Sequence, residues 1–213
     1  MLKDSYTNLD SMFNGCANVT KIEFNNFNTS AVTNMNGMFR GCHSLKSIDL
    51  SMLDTSSVTT MSGMFNGCRA CESFVLNGLF TTEKVTNMSA MFSDCDKLNS
   101  SDLIPLNTSK VINMNDMFSG CGVTSLDLST FNTSLVTNMY NMFYNCDKLV
   151  NLNLTSFNTS NVTNMEQLFY GCAMLESFNI NKDTWITSKV TTMRNMFNRC
   201  AALTSIDVSG FDV

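Results

Sequence analysis

Nine cysteines, one histidine and a recurring aspartate carry most of the potential chemistry in this 213-residue chain. Eight of the cysteines (Cys16, Cys42, Cys68, Cys95, Cys121, Cys146, Cys172 and Cys200) close the same string, Met-Phe-x-x-Cys, with Leu168 replacing the methionine once. Their steps are 26, 26, 27, 26, 25, 26 and 28 residues. The ninth, Cys71, stands where other copies carry Leu45, Leu98 or Leu149. A thiolate attacks carbonyls, exchanges disulfides or binds zinc. A thiol repeated at constant register reads first as a buried small hydrophobe. Disulfides between neighbouring copies are compatible with stacking at ~5 Å, but an identical column has no built-in pairing and nine is odd. Zinc is the weakest reading, because Cys68 and Cys71 form the one C-x-x-C pair and the single histidine, His43, directly follows a column cysteine. His43 has no nucleophile partner that the repeat leaves unexplained, and no phosphate loop or paired-carboxylate motif occurs. These residues therefore point away from an enzyme, with no catalytic residues, no metal and no cofactor.

Three other sets could bind. The position between two inward apolar residues holds Glu23, Asp49, Val75, Asp102, Asp127, Asn153, Asn179 and Asp207 in successive copies. Stacked at ~4.8 Å, it would form a mostly acidic stripe. Like charges so close repel, so a cation or basic partner would stabilise them, although a plain solvated face is the simpler reading. Calcium would need more oxygen ligands than one Asp per copy. Tyr140, Tyr144 and Tyr170 sit at positions that elsewhere hold Asn, Ser or Arg, so they are expected at the surface on adjacent copies, as aromatic anchors for a partner. Phe80 and Trp185 lie in the two insertions, around 78–80 and 182–185, and insertions in repeat proteins often map to a binding face. A further array, Thr33, Thr59, Thr86, Thr137 and Thr163, resembles an ice-binding hydroxyl lattice, but its flanking Asn and the absence of Thr-x-Thr argue against that role.

These residues are positioned by the repeat itself. The copy at 126–151 reads Leu-Asp-Leu-Ser-Thr-Phe-Asn-Thr-Ser-Leu-Val-Thr-Asn-Met-Tyr-Asn-Met-Phe-Tyr-Asn-Cys-Asp-Lys-Leu-Val-Asn, and no linker interrupts the series. We read one domain, 1–213: a mainly β solenoid of about eight repeats with partial repeats at both ends. Leu149-x-x-Leu152-x-Leu154 ends in strand-like alternation, and Val162-Thr163 with Met165 suggests a second short extended piece. Met-Phe-x-x-Cys is too short for a stable helix and reads as one turn of 3₁₀ or α structure in each repeat. Because one unit cannot bury its apolar side, parallel stacking must build the core. The buried columns would be Phe13, Phe39, Phe65, Phe92, Phe118, Phe143, Phe169 and Phe197, flanked by methionine and the cysteines, with Asn34, Asn87 and Asn138 satisfying backbone groups of adjacent repeats. Ser101, at an inward position, marks a local weak point.

Composition excludes other classes. Hydrophobic residues reach 44%, enough for a core, and the net charge of −5 gives no electrostatic footprint for nucleic acid. No apolar run approaches the ~18–20 residues that span a membrane, so no membrane insertion is expected, and residues 1–6 contain no signal-peptide core.

The consensus L-x-S-L-D-L-S-x-F-N-T-S-x-V-T-N-M-x-x-M-F-x-x-C resembles the bacterial surface protein 26-residue repeat, a relative of the BspA-like leucine-rich repeats. The resemblance covers essentially the whole chain. It implies a leucine-rich-repeat-like stack at the cell or virion surface, a non-catalytic adhesion module for a protein or glycan on a host or neighbouring surface. The alternative is a structural part of a fibre, spike or particle that self-associates end to end.

Overall fold

The computed structural model describes residues 6–209 and Phe211. The chain's first five residues and Gly210, Asp212 and Val213, where the sequence places the outer ends of the partial repeats, lie outside the described residues. The fold is a mainly β repeat fold of short parallel strands: β1 (Ser47–Asp49), β2 (Ser73–Val75), β3 (Ser125–Asp127), β4 (Asn151–Leu154) and β5 (Ser177–Ile180). β1 pairs in parallel with β2, β3 with β4 and β4 with β5, each one repeat on. Ile48 lies opposite Phe74, and Leu126 opposite Leu152, which in turn lies opposite Phe178. A second ladder of single-residue bridges runs Asn8, Asn34, Thr60, Asn87, Asn113, Asn138, Asn164, Thr192. The second extended piece expected near Val162 is thus only one bridge long. The Asn side chain explains the brevity. Asn138 Oδ1 accepts the Tyr140 N–H at 3.0 Å and Asn164 Oδ1 the Glu166 N–H at 2.9 Å, which bends the chain two residues on. These asparagines therefore satisfy their own repeat rather than its neighbour. Where Thr60 replaces one, Asn36 of the preceding repeat reaches across to the Ser62 N–H at 2.8 Å.

The Met-Phe-x-x-Cys segment is not helical, which corrects the expectation of one helical or 3₁₀ turn in every repeat. The residues five and one before each column cysteine adopt positive φ, as at Gly37 (55°) and Gly41 (72°) or Asn141 (57°) and Asn145 (53°). A left-handed residue every fourth position stops right-handed helix from propagating, and Gly, Asn and Asp tolerate it best. Alternate N–H groups then point in opposite directions. Those of Arg40 and Cys42 close turns within the segment, while those of Gly37, Phe39 and Gly41 donate to Ser62, Met64 and Asn66 one repeat on, at 2.7–2.9 Å. The segment is a bent ribbon paired across repeats.

The core follows from this register. The phenylalanine column stacks nearly parallel, with neighbouring centroids 5.5 to 6.0 Å apart from Phe13 to Phe197. Its six inner members are fully buried, and Phe13 and Phe197 are half-buried. At the corner before the Asn ladder a buried threonine takes over the pairing. Thr133 Oγ1 donates to Asn158 O at 2.9 Å and accepts from Asn158 N–H at 2.8 Å. Thr55, Thr82, Thr108 and Thr159 make the same reciprocal pair one repeat on. The N-T-S triplet is therefore a structural device, with its Thr in the core.

Candidate functional site

The thiol column is consumed by the fold. Each cysteine Sγ from Cys42 onward in the column donates to the carbonyl of the phenylalanine in the preceding repeat, from 2.9 Å for Cys121 to Phe92 to 3.3 Å for Cys68 to Phe39. That carbonyl already accepts the N–H of its own repeat's cysteine. All nine cysteines are free thiols. Burial pushes Cys42 and Cys71 up to about 11 and Cys121 up to about 12, far from the thiolate range at neutral pH. Cys16 and Cys200 are half-buried. A thiol reagent applied to the native protein should therefore react with at most these two, and with the remaining seven only after unfolding. Rapid native reaction of all nine would contradict the buried column. His43 is likewise occupied. Its Nδ1–H donates to Gly67 O at 2.8 Å, since a carbonyl can only accept. Among the described residues no group of three His, Cys, Asp or Glu side chains is placed to hold a metal ion, and no helix is long and apolar enough to cross a membrane.

The acidic stripe is not continuous, and this is a second correction. A 3₁₀ helix, Ser100–Leu103, takes the place of a strand and splits the ladder into β1–β2 and β3–β4–β5. Ser101 is the cause, because a strand would turn its hydroxyl into the core. Asn99 instead caps the 3₁₀ turn, accepting the Ser101 N–H at 3.1 Å, and Ser100 Oγ accepts the Asp127 N–H at 2.9 Å. Asp102 is thereby drawn out of the stripe, and burial raises its carboxyl above the usual range. Asp49, Asp127 and Asp207 are exposed, but each accepts the N–H two residues on, from Ser51, Ser129 and Ser209, at 2.9–3.0 Å. Bonds from Ser51 hold Asp49 below its ordinary value, and bonds from Ser129 do the same for Asp127. Lys182, ion-paired with Asp207, lowers that carboxyl the most. Asn153 donates to Asp127 at 2.9 Å. The repulsion that would call for a bound cation is absent on this face.

Phe80 and Trp185 are the third correction, since they are 4% and 2% exposed and cannot form a binding surface. Both sit two residues before the buried threonine, at Thr82 and Thr187, as do Phe131 before Thr133 and Phe157 before Thr159. The insertions loop outward and leave these rings in the corner core column. Alignment on the threonine instead of the cysteine would have revealed this. Gly78 and Leu79 are exposed in one of the two longer corners, and Lys182 and Asp183 in the other.

The tyrosines behave differently. Tyr144 and Tyr170 are half-buried and stack across adjacent repeats, 5.0 Å between centroids and 10° from parallel. The Arg199 guanidinium lies over the other face of Tyr170, 5.4 Å from its centroid, and gives the stack a cation–π cap. Tyr140 occupies the neighbouring column and makes no ring contact with them among the described residues. The next members of its column are Glu166 and Arg194, 3.9 Å apart. The sequence signals Tyr144 and Tyr170, which share a register position, but not Arg199, which sits one position further along its own repeat. Half-buried tyrosines beside an exposed arginine are residue types that anchor protein interfaces.

Comparison with solved structures finds a leucine-rich repeat protein of T. pallidum at 21% identity and a TM-score of 0.46, matching 70% of this chain and about 63% of that one. A leucine-rich cell surface protein of Faecalibacterium prausnitzii aligns at 15% identity and a TM-score of 0.32, over 94% of this chain and 70% of its own length. The chain thus spans less than two thirds of the T. pallidum protein. No curated protein sequence matches. The family described as Mycoplasma protein of unknown function, DUF285, matches residues 7–123, 70–176 and 148–213, so that the repeats run through three overlapping copies of its pattern. With matches from residue 7 to residue 213, this chain belongs to the DUF285 family.

Proposed function

We propose that the chain is a single solenoid domain of about eight repeats and serves as a surface-displayed, non-catalytic module that binds a protein or glycan through one face of the stack. The observation that carries the reading is the stacked pair Tyr144–Tyr170 with its Arg199 cap. The column cysteines from Cys42 onward, the corner threonines, the ladder asparagines and His43 are engaged by backbone groups, whereas among the described residues these rings serve no hydrogen-bond ladder. They hold interface-type residues at positions the repeat leaves variable. The family resemblance to surface repeats supports display outside the cell. The test is a screen of the chain on arrays of glycans and host surface proteins, repeated with Tyr144→Ser/Tyr170→Ser. Those substitutions restore the small residue found in other repeats and should leave the melting temperature within a few degrees. Retention of a ligand by the parent and loss of at least about tenfold in affinity by the double variant is expected. Undiminished binding by the double variant would remove this face from the function.

A further inference from the structure

The inference that follows rests on the tyrosine face being the contact surface, and it names what one part of that face holds. The Tyr144–Tyr170 stack has two ends. At one, Arg199 covers Tyr170. At the other, the same register position one repeat earlier is Ser119, and among the described residues no ring or cation lies against that face of Tyr144. The residue after Ser119 is Gly120, whose N–H donates to the Tyr144 carbonyl at 2.7 Å. Gly120 has φ +72°, and a Cβ there would lie 2.6 Å from Asp94 Oδ1, so the Asp94 carboxylate of the repeat before leans over it. Ser119 and Gly120 form the floor of a slot one repeat wide. The free face of the Tyr144 ring bounds it on one side, and the Asp94 carboxylate stands over its Gly120 end.

A flat group above Ser119 lies one repeat, about 4.8 Å, from the Tyr144 ring, close to the 5.0 Å at which Tyr144 and Tyr170 stack. We propose that the slot binds an organic cation, a guanidinium in preference to an ammonium, carried by a basic segment of a protein partner. The aromatic face attracts a cation stacked on it, and the carboxylate beside it accepts its N–H groups at the edge. A planar guanidinium can do both at once. The chain already demonstrates the first half of this at the other end of the stack, where the Arg199 guanidinium lies over Tyr170 from a position one residue further along its repeat. The loose Arg69–Asp94 approach, 3.9 Å between two side chains that are each about half exposed, competes weakly. A glycan could also lie on the free ring, but the Asp94 carboxylate and the net charge of −5 favour a cation.

The experiment uses the full chain and a fluorescein-labelled peptide of alternating Gly and Arg, read by anisotropy. A Gly-Lys peptide, a Gly-Glu peptide and a neutral oligosaccharide serve as comparisons. Ser119→Tyr extends the stack and fills the slot without changing charge, at a position where the next two repeats already hold tyrosine. Asp94→Asn removes the carboxylate. The Arg peptide should bind, the Lys peptide several-fold more weakly, and each substitution should weaken Arg binding by about tenfold with the circular dichroism spectrum unchanged. Equal binding of the Arg peptide to the parent and to Ser119→Tyr would reduce the attraction to net charge and overturn the slot. Binding of the oligosaccharide in its place would do the same. If array ligands still depend on Tyr144 and Tyr170 while Ser119→Tyr has no effect on the Arg peptide, the face stands and the slot falls. If neither set of variants changes any binding, both fall.

Discussion

Phe118→Ala is expected to lower stability by about 3–5 kcal/mol, the usual cost of emptying a fully buried phenylalanine site. Phe118 stacks between Phe92 at 6.0 Å and Phe143 at 5.9 Å, each within 6° of parallel, and also meets Phe131 at 6.2 Å. Each lost ring pair adds roughly 0.5–1.5 kcal/mol to the burial it removes. The position matters as much as the residue. Stacked repeats contact only their neighbours, so a hole in the middle weakens the link between two halves, whereas a hole at the last turn affects one side. Phe197→Ala, at a half-buried position, is expected to cost clearly less. A thermal melt should show a fall of about 10 °C for Phe118→Ala. A loss under about 1 kcal/mol there would mean that the column is not the core.

The second large effect is expected at Thr133. Its hydroxyl both donates to and accepts from the backbone of Asn158, and the side chain is fully buried. Thr133→Val keeps the shape but strands one N–H and one carbonyl, at about 1–3 kcal/mol for each buried group left unpaired. Thr133→Ser retains the hydroxyl and should recover most of the loss, leaving only the missing methyl. Denaturant unfolding of the three proteins separates the two contributions. Equal stability of the Val and Ser variants would show that packing, and not the hydrogen-bond pair, makes this column necessary.

The threonine column also shows where the sequence was legible and where it was not. Register and parallel stacking follow from the cysteine spacing, because a fixed period with inward apolar residues has few other ways to bury them. Cys42, Cys68, Cys95, Cys121, Cys146 and Cys172 are buried for the same reason. The Met-Phe-x-x-Cys turn read wrongly. Its apolar pattern suits a helical turn, and the contrary signal lay in the positions around it, where Gly, Asn and Asp recur five and one before the cysteine. Ala90, Gln167 and Arg199 hold the same left-handed conformation without those residue types, so it is imposed by the pairing of neighbouring repeats and not by local preference. The exposed threonines are similar. Thr59 and Thr163 turn their hydroxyls to the carbonyls of Thr33 and Thr137 one repeat back, at 3.2 and 3.1 Å, which no single repeat could reveal. Ser101 was visible as a break, but its consequence, the withdrawal of Asp102, required the structure. On the tyrosine face, the shared register of Tyr144 and Tyr170 could be read from the spacing. The Arg199 cap could not, because it depends on a side chain reaching from an offset position in the next repeat.

The turn after the Asn ladder pairs across repeats instead of coiling on itself. Scalar couplings transmitted through hydrogen bonds, from backbone nitrogen to carbonyl carbon, test it directly by nuclear magnetic resonance. Couplings are expected from Phe92 N to the Met117 carbonyl, from Phe118 N to Met142 and from Phe143 N to Leu168, each about one repeat apart. Couplings from these nitrogens to carbonyls three or four residues earlier in the same segment would mean a helical turn, and would contradict the stack on which the rest depends.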